Sequence, residues 1–193
     1  MSLLLGLALA ASAPSSDLAI QAIHNFGACI VEQTPRGARQ LLAMDYSTPG
    51  YREKLRAIAK GHDRCLLPGS RLGFDSSLLF AGALAEALIE SETGPSELPV
   101  QLAYIPSRAP IQSHSDTETM ALCAVMHAPK ATADLLATEP ATAEEKSAIG
   151  AVTSVLPECL TKGMTVNMNR PALRALLSLA AWRIVTTPKE ATQ

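Results

Sequence analysis

Four cysteines carry the most specific spacing in this chain. Cys29 and Cys65 are 36 positions apart, and Cys123 and Cys159 are also 36 apart. Thiols so placed can pair as disulfides, ligate a metal as thiolates, or stay reduced as small buried apolar groups. A structural metal calls for C-x-x-C pairs or a histidine recurring beside both pairs, and the chain has neither. Four cysteines allow three connectivities. A bridge copied with its surroundings leaves Cys29–Cys65 and Cys123–Cys159, each stabilising by about 3 to 4 kcal/mol in the chain-entropy model. Free thiols are the third reading, and they belong to a reducing compartment.

Other chemistry is sparse. His24, His62, His114 and His127 form no H-E-x-x-H and no pair at ligand spacing, and they read as polar or half-buried side chains. Gly69-Ser70-Arg71-Leu72-Gly73 lacks the spacing of a nucleophile elbow. Neither G-x-x-x-x-G-K-[ST] nor G-x-G-x-x-G is present, so no nucleotide cofactor is expected, and no metal. Carboxylates from distant helices could converge for glycoside cleavage, although nothing local selects a pair. Arg52, Arg56, Lys60 and Arg64 recur every four residues and would share one helix face, a candidate binding stripe for an anionic ligand or an acidic partner. The competing reading is a solvated face, since Glu53 and Asp63 share the segment.

These groups sit on a repeated framework. Sliding the chain by 94 positions superposes both cysteine pairs without a gap and also brings Pro35 onto Pro129, Leu41-Leu42-Ala43 onto Leu135-Leu136-Ala137, Thr48 onto Thr142, and Gly69 onto Gly163. Apolar positions agree between the identities, as with Leu55 and Ile149 or Leu79 and Leu173. Two copies of one unit are therefore read, about Phe26–Glu90 and Met120–Ile184.

Each copy reads as four helices. The first begins near Ser16 or Ser115 and stops before Pro35 or Pro129, where a second, short helix starts, with Thr34 as its cap in the first copy. A third follows Thr48 or Thr142. Both Ser115-Asp116-Thr117-Glu118 and Thr142-Ala143-Glu144-Glu145 have the form of a capping box. The fourth opens at Asp75-Ser76-Ser77 or Asn169-Arg170-Pro171. It is apolar nearly all round in the first copy, whereas Arg170, Arg174 and Arg183 are expected to leave one side wet in the second. Before it, 71–74 and 164–168 alternate as strands do, and the two could pair. The expectation is an all-α fold, two tandem copies of a roughly four-helix unit related by pseudo-two-fold symmetry, with an optional small two-stranded β-ribbon.

The chain has 193 residues, 48% hydrophobic and 18% charged, a globular composition. A net charge of −2 and only seven aromatic residues argue against nucleic acid as a partner. The opening MSLLLGLALAASA reads as a secretory signal peptide, with cleavage after Ala10 or Ser12 favoured because Pro14 follows Ala13, and with no Lys or Arg ahead of the apolar run. An apolar helix end packed on the body is the alternative. The run is too short to span a bilayer, and no integral membrane span is expected. The organisation expected is a signal peptide at 1–13, helical repeats at 14–90 and 115–187, a Pro-rich linker at 91–114 with 100–105 extended on the helices, and a tail at 188–193.

The stretch Tyr51-Arg52 through Cys65, then Gly69-Ser70-Arg71-Leu72-Gly73-Phe74 and the apolar run 79–88, resembles uncharacterised exported helical proteins of sphingomonad-type bacteria. The resemblance covers mostly the first copy and implies a periplasmic or secreted compartment, with no activity and no site residues. The function expected is an exported, disulfide-stabilised binding or interaction module, its partner an envelope protein or an anionic ligand. The alternative is an envelope-directed hydrolase with its site between the repeats.

Overall fold

A computed structural model describes residues 16–66 and 77–188. The signal-peptide segment and the first alternating stretch, 71–74, lie outside them. The described residues form ten α-helices and no strand: α1 (Ser16–Gln33), α2 (Pro35–Leu42), α3 (Pro49–Gly61), α4 (Ser77–Glu92), α5 (Leu98–Leu102), α6 (Asp116–His127), α7 (Pro129–Leu136), α8 (Ala143–Thr153), α9 (Leu156–Cys159) and α10 (Arg170–Thr186), with a 3-10 turn at Asp63–Cys65. Residues 164–168 are irregular, so the β-ribbon is not formed by the segment that can be seen. Alternation over five residues cannot hold a strand without a partner edge.

Local signals set most boundaries. Pro35 and Pro129 occupy the first position of α2 and α7, where their missing N–H costs nothing. Ser115 Oγ accepts the Glu118 N–H at 3.2 Å, and the Glu118 carboxylate accepts the His114 N–H at 2.7 Å, a capping box whose return bond goes to the residue before the cap. Thr142 Oγ1 and Glu145 do the same for α8, the carboxylate reaching back to the Ala141 N–H at 3.0 Å. Asn169 caps α10 through the Ala172 N–H. Thr34 occupies the N-cap position of α2, but its hydroxyl makes no cap bond and lies 2.7 Å from His62 Nε2. His62 Nδ1 lies 2.8 Å from the Ile58 carbonyl, so the ring ties the end of α3 to the start of α2.

Bounds recur at the 94-residue offset. α7 starts and ends 94 positions after α2, and α10 ends 94 positions after α4. Both expected bridges are formed, Cys29–Cys65 with Cα atoms 5.7 Å apart and Cys123–Cys159 with 5.6 Å.

The centre is α4, buried along both sides through Phe80, Ala81, Ala83, Leu84, Ala85, Leu88 and Ile89 and packed between α1 and α10. Close approach rests on two glycines. A Cβ on Gly82 would lie 2.5 Å from Ala175 Cα, and one on Gly27 would lie 2.8 Å from Ala83 Cβ. α10 is covered just as fully, which overturns the wet side expected of it. Arg174 is 0% exposed and Arg183 is half-buried, leaving Arg170 alone of the three at the surface. The interval 91–114 is likewise more than a solvated connector. Residues 98–102 are helical, so the first three residues of the segment expected to be extended, 100–105, are not, and Leu98 and Leu102 enter the core.

Candidate functional site

The basic stripe is only partly a stripe. Arg52, Arg56 and Lys60 are exposed on α3, but the helix ends at Gly61 and Arg64 lies in the 3-10 turn that follows, off the shared face. The turn is needed to bring Cys65 back to Cys29 on α1. Of the four cations, Arg52 alone reaches a cleft.

That cleft has a volume of about 720 Å³ and opens between α2 and α3 on one side and α6 and α10 on the other. Its floor is apolar, from Leu42, Leu78, Ala81, Leu176, Leu179, Ala180 and Trp182. The rim is polar. Arg39 Nε donates to Glu92 at 2.7 Å, and Arg183 pairs with Glu118. Asp45 Oδ1 accepts both the Ser47 N–H and its hydroxyl, which holds the carboxyl below its usual range. Tyr46 donates to Ser115 Oγ and meets the His114 ring edge-on at 5.6 Å, joining the α2–α3 connection to the start of α6. Burial pushes the Tyr51 phenol up to about 12, so it stays neutral in the wall. Arg52 has no hydrogen-bonding or ionic partner among the described residues.

A second cleft of about 680 Å³ lies between α1, α4, α5 and α7. Half of its lining falls at positions 94 away from those of the first: Leu42 answers to Leu136, Asp45 to Glu139, Ala180 to Glu86, Glu118 to His24, and Arg183 to Ile89. Behind this lining, buried in the core and reaching the cleft through Glu86 and Thr138, lies an ionic cluster. Arg174 Nε donates to Glu86 Oε2 at 3.0 Å and Nη1 donates to Glu145 Oε1 at 3.2 Å, while the Thr138 hydroxyl and carbonyl accept from the same guanidinium. Ser178 Oγ donates within the cluster, to Glu86 or to the Arg174 carbonyl. Burial opposes the charge on Arg174, but the two carboxylates outweigh it and raise its pKa above the ordinary value. His24 faces Glu86 with Nδ1 3.8 Å from Oε1, and its pKa is lowered chiefly by burial, against the pull of that carboxylate.

At the 94-residue offset, Arg174, Glu86 and Glu145 answer to Phe80, Ala180 and Tyr51. One half thus uses aromatic and small apolar groups where the other uses a salt-bridged triad. Sequence reasoning misses the triad because its members are 29 and 88 positions apart. The unequal residues at matched positions are the available signal. Glu86 and Glu145 are the converging carboxylates that a hydrolase reading asks for, yet they converge on one guanidinium. Both are occupied as its counter-ions, so neither offers a free general acid or base. Among the described residues no group of three or more His, Cys, Asp or Glu is arranged to hold a metal ion, and no helix is long and apolar enough to cross a membrane.

Comparison with protein-family models, with curated proteins and with solved structures gives no match.

Proposed function

We propose that this chain is an exported, disulfide-stabilised helical module that binds a ligand in the apolar cleft between α2–α3 and α6–α10. The observation that carries this reading is the floor of that cleft. A concavity of this size with an apolar lining, one tryptophan and a few polar groups at its mouth has the make-up of a small-molecule site. The second cleft has Glu86 where the first has Ala180 on its floor, and that difference supports a specialisation of one copy for binding. Recurrence of helix bounds and bridges at one offset supports descent from a duplicated unit, and two bridges with no free cysteine support an oxidising compartment.

Nile red, a neutral apolar dye, tests the cleft directly. The oxidised protein should bind one equivalent with saturable fluorescence, and Leu179→Gln, a half-buried floor position, should weaken binding about tenfold. Linear, unsaturable uptake by both proteins would remove the cleft from consideration. Intact mass from an oxidising export compartment tests the compartment. A chain beginning after Ala10 or Ser12, with all four thiols blocked until reduction, is the expected result, and four alkylatable thiols would overturn it.

A further inference from the structure

We infer that the ligand of this cleft is a single-chain amphiphile with an anionic head, its tail on the apolar floor and its head at Arg52. The inference rests on the cleft being a binding site and adds the class of molecule that occupies it. The floor offers Leu176, Leu179, Ala180 and Trp182 as one continuous apolar surface on α10, with Leu42 and Ala81 from α2 and α4 facing it. An elongated hydrocarbon gains by covering such a strip over its whole length.

The head group follows from which rim charges are already satisfied. Arg39 is held by Glu92 and Arg183 by Glu118, while Asp45 Oδ1 accepts two bonds from Ser47 and lies 3.8 Å from His114 Nδ1. Arg52 is the rim cation with no partner among the described residues. A guanidinium that no described residue pairs, beside an apolar floor, favours an anion at the mouth, and its planar fork suits a carboxylate or a phosphate alike. A cationic head would meet Arg52 as a like charge.

A shift or intensity change in the emission of Trp182, the sole tryptophan and part of the cleft lining, reports occupancy. The oxidised full chain is titrated with hexanoate, octanoate and decanoate, then with decyl phosphate, decanol and decyltrimethylammonium, all below their aggregation thresholds. Affinity should rise about fourfold for each added methylene. Decanoate or decyl phosphate should bind more tightly than decanol, decyltrimethylammonium should bind least, and the better of the two anions identifies the head as carboxylate or phosphate. In Arg52→Gln the ratio of anionic to neutral affinity should fall about fivefold, the upper range for an exposed charge pair, and high salt should do the same to the parent. Equal binding of all heads, or an unchanged ratio in Arg52→Gln, overturns the anionic head while the cleft stands on Nile red. Failure of every alkyl probe where Nile red binds overturns the amphiphile alone, and failure of both removes the cleft itself.

Discussion

The Arg174 guanidinium grips the Glu86 carboxylate across the contact between α4 and α10, with Nε 3.0 Å from Oε2 and Nη2 paired to Oε1. Arg174 is 0% exposed and the Glu86 side chain 12%, so the pair is a core element placed where the other half of the chain has Phe80 and Ala180. It places Glu86 in the lining of the second cleft, where the first has Ala180.

Removing only the cation strands two carboxylates in the core. Arg174→Met should lower unfolding free energy by about 3 to 5 kcal/mol. Combining it with Glu86→Leu and Glu145→Gln should recover most of that loss, because the glutamine keeps an acceptor for the Ala141 N–H. Urea unfolding of the parent and these variants decides the matter; equal stability of the single and combined variants would show that the triad is not coupled.

The two extremes among the helical glycines should respond in opposite directions. At Gly82 an added Cβ meets the Ala175 backbone at 2.5 Å, so Gly82→Ala should destabilise by about 1 to 3 kcal/mol as α4 and α10 are forced apart. Nothing lies within 4 Å of a Cβ at Gly150, on the surface of α8, and Gly150→Ala should stabilise by about 0.5 to 1 kcal/mol. Thermal midpoints of the pair give both signs in one experiment.

Acidification should expose the burial of His24. Its folded pKa lies below the unfolded value of 6.5, so the unfolded chain binds the proton first and stability falls as pH drops through and below 6.5. The contribution is fully present above that value and lost down to the folded pKa. The difference in unfolding free energy between the parent and His24→Gln, measured from about pH 7.5 to about pH 5, should shrink as pH falls. A constant difference would show that His24 titrates alike in both states.

Each bridge closes a span of 36 positions between helices that also touch through packing. Replacing Cys29 and Cys65 by serine should cost about 3 to 4 kcal/mol in the chain-entropy model, and replacing Cys123 and Cys159 should cost about the same. Chemical denaturation of the two double variants compares the bridges directly, and a loss confined to one would show that the other half is held by packing instead.

Much of the fold is legible in the sequence because its signals are local. The caps at Ser115, Thr142 and Asn169 act within four residues, Pro35 and Pro129 act on their own backbone, and the equal cysteine spacing points to the pairing that is formed. The alternating stretch at 164–168 misleads for the same reason, since strand-like periodicity without a partner edge makes no strand. Periodicity also places Arg64 on α3, because it does not register that the helix must stop for Cys65 to reach Cys29.

The sequence by itself determined the helical class, most helix boundaries and both disulfides, each through groups near in the chain or matched in spacing. Tertiary structure decided what the charges mean. Arg174 reads as a solvated position on an amphipathic helix, and only the arrival of α4 and α8 from 88 and 29 positions away supplies the carboxylates that let it be buried. The same holds for the clefts: Arg52 and Trp182 are 130 positions apart, and they share a wall only because helices from both halves close around one apolar floor. Burial of a charge is a balance of desolvation against partners, and partners that are distant in sequence leave no periodic trace around the residue they neutralise.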